Sequence, residues 1–285
     1  SMIFAGSGLP GLAALGLIAA LYHCLNHAIF KSLLFLGAGA IIHQTHEHDL
    51  ERMGGLIRRL PVTAFCFLVG CISISALPPF NGFVSEWLTF QTALQGTALP
   101  NGVLSSLIPL AAAVLALTGA LAAACFVKVY GVAFLGQPRT RHARKARIPQ
   151  YAILVSQGIL AVLCLVLGIL PTWTVGLLDR IARQLLGHGL PEATSHGWLW
   201  LTPVAPQQAS YGAPLTLLGI GLACLLAYLF LHPQRKTPIR TGAAWDCGFG
   251  PLSPRMQYTA TAFSMPLRRI FRHVWAVSEE LEDTG

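Results

Sequence analysis

The sequence predicts an all-α fold, a polytopic transmembrane helix bundle with one discontinuous helix, and three observations carry that prediction. Of the 285 residues, 54% are hydrophobic and 11% charged, at a mean hydropathy of +0.61; soluble domains carry about 25% charged residues. The apolar residues come in runs close to the roughly 20 that a bilayer crossing needs. The 19 Lys and Arg, which leave a net charge of +8, cluster in the polar connectors between those runs. That is where the positive-inside rule places them, so the basic balance does not call for nucleic acid.

The elements follow in order. Leu9 to Ile42 reads as one long helix with Lys31 its only formal charge, followed by the polar connector "HQTHEHDLERMGGLIRR". Leu60 to Leu77 is a second span, "PPFNG" interrupts it, and Phe83 to Leu99 is a third, shorter element. Leu104 to Leu135 is the fourth, followed by the strongly basic "GQPRTRHARKARIPQ". Tyr151 to Leu170 is the fifth, ended by Pro171. The segment 172–213, rich in Pro, Gly, His and Trp, is expected at the membrane interface. Pro214 to Leu231 is the last span, and a polar tail follows with the basic amphipathic stretch "PLRRIFRHVW". Counting 83–99 as a crossing of its own puts Arg139–Arg147 and the tail on one side, the cytoplasm, and the 43–60 connector on the other.

Ionisable residues inside apolar runs are costly and mark ion paths. Between Leu60 and Gln137 the formal charges are Glu86 and Lys128 alone. His23, His27 and Lys31 sit at i, i+4 and i+8, on one helix face over roughly 12 Å. Each can take and give a proton. Two other readings stand beside this one: snorkelling or hydrogen-bonded core residues, and a zinc pair. The zinc pair lacks a third ligand at suitable spacing and has Lys31 to repel the ion, so no metal is expected. Glu86 follows Pro78 and Pro79, which remove two backbone donors, and Asn81-Gly82, which favours a turn. This reads as a helix broken at membrane depth, as in transporters, or as a plain loop with an interfacial carboxylate. Lys128, near the end of its span, is a relay group or a snorkelling side chain. His43, His46 and His48 read as surface residues. Seven scattered cysteines without a C-x-x-C pair argue against a disulfide framework, a zinc site or an iron–sulfur site built by this chain alone.

"LNHAIFKSLLFLGAGAII", "ERMGGLIRRLP" and "SALPPFNGFVSEW" closely resemble the antiporter-like membrane subunits of respiratory complex I and its relatives. The tail "WDCGFGPLSPRMQYTATAFSMPLRR" resembles the membrane subunit of group 4 hydrogenases, the hydrogenase-4 component B and formate hydrogenlyase subunit 3 family. The resemblance covers nearly the whole chain. It implies two inverted helical repeats, each with a half-channel and a charged residue on a broken helix. His23, His27 and Lys31 match the central groups of the second half-channel, and Glu86 matches its broken-helix residue. The first half-channel has no counterpart, and "SMIFAGSGLPG" lacks the basic start of a signal peptide, so the chain is expected to be an internal and C-terminal piece. Residues 1–135 are then the second half-channel, 136–232 further spans with an interfacial segment, and 233–285 a cytoplasmic tail.

The implied function is proton translocation in the bacterial inner membrane by a cofactor-free subunit of an energy-converting hydrogenase. Nickel–iron and iron–sulfur chemistry would lie in peripheral partner subunits, and other membrane subunits would adjoin this one. A complex I or cation/proton antiporter subunit is the rival, against which the tail argues. A non-conducting membrane scaffold is another, and it requires salt-bridged, dry charges.

Overall fold

Residues 1–190, 193, 197–205, 209–231, 242 and 245–273 are described in this computed structural model. A short α1 (Met2–Gly6) precedes α2 (Pro10–Thr45), whose 36 residues extend about 54 Å. Pro10 opens α2 in the first turn, where its missing N–H costs nothing. His46 closes it in the left-handed conformation, its amide donating to the Ile42 carbonyl. α2 is the central column. Its buried face runs from Ala13 through Ile18, Tyr22, Phe30 and Leu33 to Ile41, and its neighbours pack along that face.

α3 (Pro61–Ile74) and α4 (Asn81–Leu94) have 14 residues each, about 21 Å, short of a hydrocarbon core of about 30 Å. Phe67 of α3 packs on Gly37, and Gly70 on Leu33 and Leu34, so α3 covers the second half of α2. Asn81 of α4 meets Asn26, and Thr92 meets Gly16, so α4 covers the first half. The two are halves of one crossing, antiparallel to α2.

This corrects the topology expected from sequence. The 43–60 connector lies on the same side as the basic 139–147 loop, because two half-length helices make one crossing and not two. The Gly55 amide donates to the Leu135 carbonyl, and Arg139 pairs with Glu51 at 3.5 Å. Asn81 and Gly82 are likewise not a separate turn. They form the first turn of α4, and the break itself occupies residues 75–80 with Pro78 and Pro79.

α5 (Gly102–Phe134) is capped by Asn101, whose side chain accepts from the Val103 and Leu104 amides, the usual remedy for orphan donors at a helix start. α6 (Arg141–Lys145) sits in the basic loop, capped by Thr140. α7 (Tyr151–Ile169) ends before Pro171, which also opens α8 (Pro171–Leu186). The segment expected at the interface begins as an amphipathic helix, with Val175 and Ala182 in one apolar cluster with Leu15, Ile18 and Tyr22 of α2. α9 (Ala213–Leu231) is apolar and almost wholly exposed. α10 (Ala260–Ile270) carries the first part of the basic amphipathic stretch. Residues 232–241 and 274–285 of the expected tail lie outside the described residues, as do 191–192, 194–196, 206–208 and 243–244. α2, α5, α7 and α9 are each long and apolar enough to cross a membrane.

Candidate functional site

Irregular backbone inside a membrane must find hydrogen-bond partners in the protein, since each unsatisfied group costs several kcal/mol. At the α3–α4 break those partners come from α2. Asn26, fully buried, donates from Nδ2 to the Asn81 carbonyl at 2.8 Å, and Asn81 Nδ2 donates back to Asn26 Oδ1 at 3.2 Å. One turn earlier, Tyr22 donates its hydroxyl to the Leu167 carbonyl near the end of α7. The α7–α8 junction lies against the α3–α4 break. A Cβ on Gly168 would collide with the Pro79 carbonyl, and one on Gly82 with the Ser73 carbonyl. Two discontinuities therefore meet at one level of α2, each stitched by an α2 side chain.

Of the expected path residues, His23 reaches this junction directly. His23, half-buried, places Nδ1 3.2 Å from Ser85 Oγ, and Ser85 donates to the Gly82 carbonyl at 3.2 Å. His27 is exposed on the open face of α2. Its ring centre lies 6.1 Å from that of His23 and edge-on to Phe30. Lys31, half-buried, has its ammonium 5.5 Å from the Phe35 ring centre. Glu86 follows Ser85 on α4, and its carboxylate points towards Gly119 of α5. Lys128, on the basic-side half of α5, donates to Ser264 of α10 at 2.9 Å. Among the described residues no ion pair joins Lys31, Glu86 or Lys128.

The geometry thus joins His23 to α4 directly, while among the described residues Lys31 and Glu86 are in no ion pair. A crevice of about 440 Å³, lined in part by His23, Cys24, Thr89 and Thr92, runs along α2 and α4 from His23 towards Gly16. Tyr22, Asn26 and Ser85 were not singled out from sequence. Asn26 had a signal, being a polar amide in the same apolar run as the histidines. Ser85 had none, because a serine on a membrane helix is unremarkable.

On the basic side a second polar cluster forms. Glu47, buried, pairs with Arg52 at 3.2 Å, and its other oxygen lies 3.6 Å from His142 Nδ1. Gln257 of the tail brackets Gln137, accepting from its amide at 2.9 Å and donating to its carbonyl at 2.8 Å. Glu51 accepts from the Thr261 amide at the start of α10, and Arg139 donates to the Tyr258 carbonyl. Partial burial works to raise the Glu51 carboxyl. Hydrogen bonds from Thr261 and the Ala260 amide, with the Arg139 guanidinium, outweigh it and hold the group below the usual carboxylate range. The residues "MQYTATAFS" are therefore the dock of the tail on the membrane core.

Residues 2–124 match the family described as NADH:quinone oxidoreductase/Mrp antiporter, TM. Hydrogenase-4 component B of Escherichia coli (strain K12) is 39% identical over 277 residues, covering 96% of this chain and 41% of that protein. Formate hydrogenlyase subunit 3 of the same organism is 37% identical over 268 residues, covering 93% of this chain and 41% of that one. The chain thus spans about two-fifths of the length of these curated relatives. Among solved structures, a chain of the archaeal membrane-bound sulfane sulfur reductase superposes with a TM-score of 0.70 at 22% identity, over 93% of this chain and 40% of that one. That likeness bears on fold alone.

Proposed function

We propose, for a chain that belongs to the antiporter-like membrane-subunit family of hydrogenase-4 component B and formate hydrogenlyase subunit 3, that it forms one half-channel of a proton-translocating subunit in an energy-converting hydrogenase complex. The observation that carries the reading is the polar junction at the midpoint of α2, where His23 bonds to Ser85 beside a broken helix. A proton enters along the crevice lined by His23, Thr89 and Thr92. It passes through His23 and His27, whose 6.1 Å separation suits a bridging water, to Lys31 as the central carrier. Glu86 sets the field at the break, and Lys128 stands at the basic-side outlet. His27 and Lys31 face outward on α2, and a charge facing lipid costs about 2.5–3.5 kcal/mol. That face therefore adjoins further protein or water in the assembled subunit.

The basic side, now including Arg52, Arg58 and Arg59 together with Arg139–Arg147, is the cytoplasmic face of a bacterial inner membrane. Peripheral nickel–iron and iron–sulfur subunits dock there, beside other membrane subunits. The scaffold reading requires paired charges, and among the described residues no ion pair joins Lys31 or Glu86, which argues against it. The test is Lys31→Ala in the full-length subunit within its complex, reconstituted in proteoliposomes. Assembly should persist and coupled proton movement should vanish; intact pumping would reject Lys31 as carrier.

A further inference from the structure

We propose that the cleft between the basic-side end of α5 and α10 binds an anionic phospholipid. The cleft holds about 680 Å³ and is lined chiefly by apolar groups, among them Val127, Gly131, Tyr258 and Phe263, a volume typical of ligand sites. Lys128 and Arg139 are its cations, and no carboxylate is among its lining residues. Arg139 is committed to Glu51 and to the Glu51 and Tyr258 carbonyls, so it shapes the wall. Lys128 is not so committed. Ser264 takes one of its three N–H donors, and among the described residues no carboxylate lies within ion-pair distance.

The depth fits a headgroup. Lys128 is six residues from the end of α5, about 9 Å along its axis, on the side where the basic loops gather. Val127 is 62% exposed and Leu135 47%, so the cleft opens sideways, towards the region that acyl chains occupy. A phosphodiester takes the spare donors of Lys128 while an acyl chain lies over Gly131, where an added Cβ would meet nothing within 4 Å. A soluble anion would leave the apolar wall uncovered. A polypeptide strand would bring N–H and C=O groups that this wall cannot satisfy.

The cleft shares Lys128 with the proposed outlet, so the test reads lipid capture and not transport; its failure leaves the half-channel reading standing. The full-length subunit is reconstituted in phosphatidylcholine nanodiscs holding a trace of phosphatidylglycerol with a diazirine in one acyl chain, or the matching phosphatidylcholine probe. After irradiation, labelled peptides are mapped by mass spectrometry. The phosphatidylglycerol probe should label 127–136 and 258–266 about fivefold more than the phosphatidylcholine probe, the ratio that one lysine near the surface supplies. Lys128→Gln should bring the two probes level. Gly131→Trp, which fills the cleft and leaves the charge, should abolish labelling, and Gly131→Leu does the same work if the larger side chain prevents folding. Equal labelling by both probes, labelling indifferent to the Gly131 variants, or a crosslink from another segment of the subunit seated in the cleft would each overturn the proposal.

Discussion

Asn26→Leu tests whether the junction at the centre of α2 is held as described. Leucine keeps the branched heavy-atom skeleton of asparagine, so the change removes hydrogen bonds without opening a cavity. Two bonds go: Asn26 Nδ2 to the Asn81 carbonyl at 2.8 Å, and Asn81 Nδ2 to Asn26 Oδ1 at 3.2 Å. Side-chain hydrogen bonds between membrane helices average about 0.6 kcal/mol and reach about 1.7, so the pair accounts for roughly 1–3 kcal/mol. The orphaned Asn81 amide and the under-satisfied carbonyl at a helix start add to that cost, which places the expectation near the upper end, about 2–3 kcal/mol. Asn81→Leu should cost less. It removes one bond, leaves the backbone acceptor for Asn26, and discards a buried Oδ1 that has no partner among the described residues. The assay is equilibrium unfolding of the full-length subunit in mixed micelles titrated with sodium dodecyl sulfate. A cost under about 0.5 kcal/mol for Asn26→Leu, or a larger cost for Asn81→Leu, would refute the stitched junction.

Gly82→Ala drives a Cβ into the Ser73 carbonyl, and the subunit should fail to accumulate in the membrane; wild-type levels by immunoblot would contradict the packing. Cysteines placed at Thr140 and Arg58 in a cysteine-depleted background should label from one and the same membrane face, whereas labelling from opposite faces would restore two separate crossings for α3 and α4. The docked tail should also depend on pH. Because the folded Glu51 carboxyl lies below its usual range, its contribution is fully present above that range and is lost as pH falls through the depressed value. Limited proteolysis near residue 252 should therefore accelerate towards strongly acidic pH in the native subunit and lose that response in Glu51→Gln; an unchanged pH profile in the variant would remove Glu51 from the dock.

Much of this fold was legible because apolar runs and charge clusters are one-dimensional signals. The spans of α2, α5, α7 and α9 follow from length and hydropathy, to within a few residues at their ends. The pairing of α3 with α4 did not, since a helix of 14 residues reads alike as a short crossing or as half of a broken one. The difference lies in Gly82 against Ser73 and Asn81 against Asn26, contacts made across the bundle. Pro171 was legible as an ending and not as a beginning, though proline serves both uses. Of the candidate site, residues that are costly in a membrane announced themselves by cost alone: His23, His27, Lys31, Glu86. Tyr22 and Ser85 are cheap there, and only their partners give them a role. The tail was legible as a motif, but its docking through Gln257, Thr261 and Ser264 depends on residues more than a hundred positions upstream.

The position of Glu86 bears on the proposed half-channel. Its carboxylate points to α5 at Gly119, while His23 reaches Ser85, the residue before it. Glu86 and the α2 groups are thus attached to the same first turns of α4 but face different helices. A rotation of α4 about its axis would carry Glu86 towards α2 and pull Ser85 away from His23, so the two contacts exclude each other. Asn26 opposes that rotation by holding the Asn81 carbonyl, and the glycines at 82 and 168 leave no side chains in the way of backbone that close. Such a rotation brings Glu86 beside His23, the α2 residue at its level, and not beside Lys31, which lies eight residues, about 12 Å, further along α2.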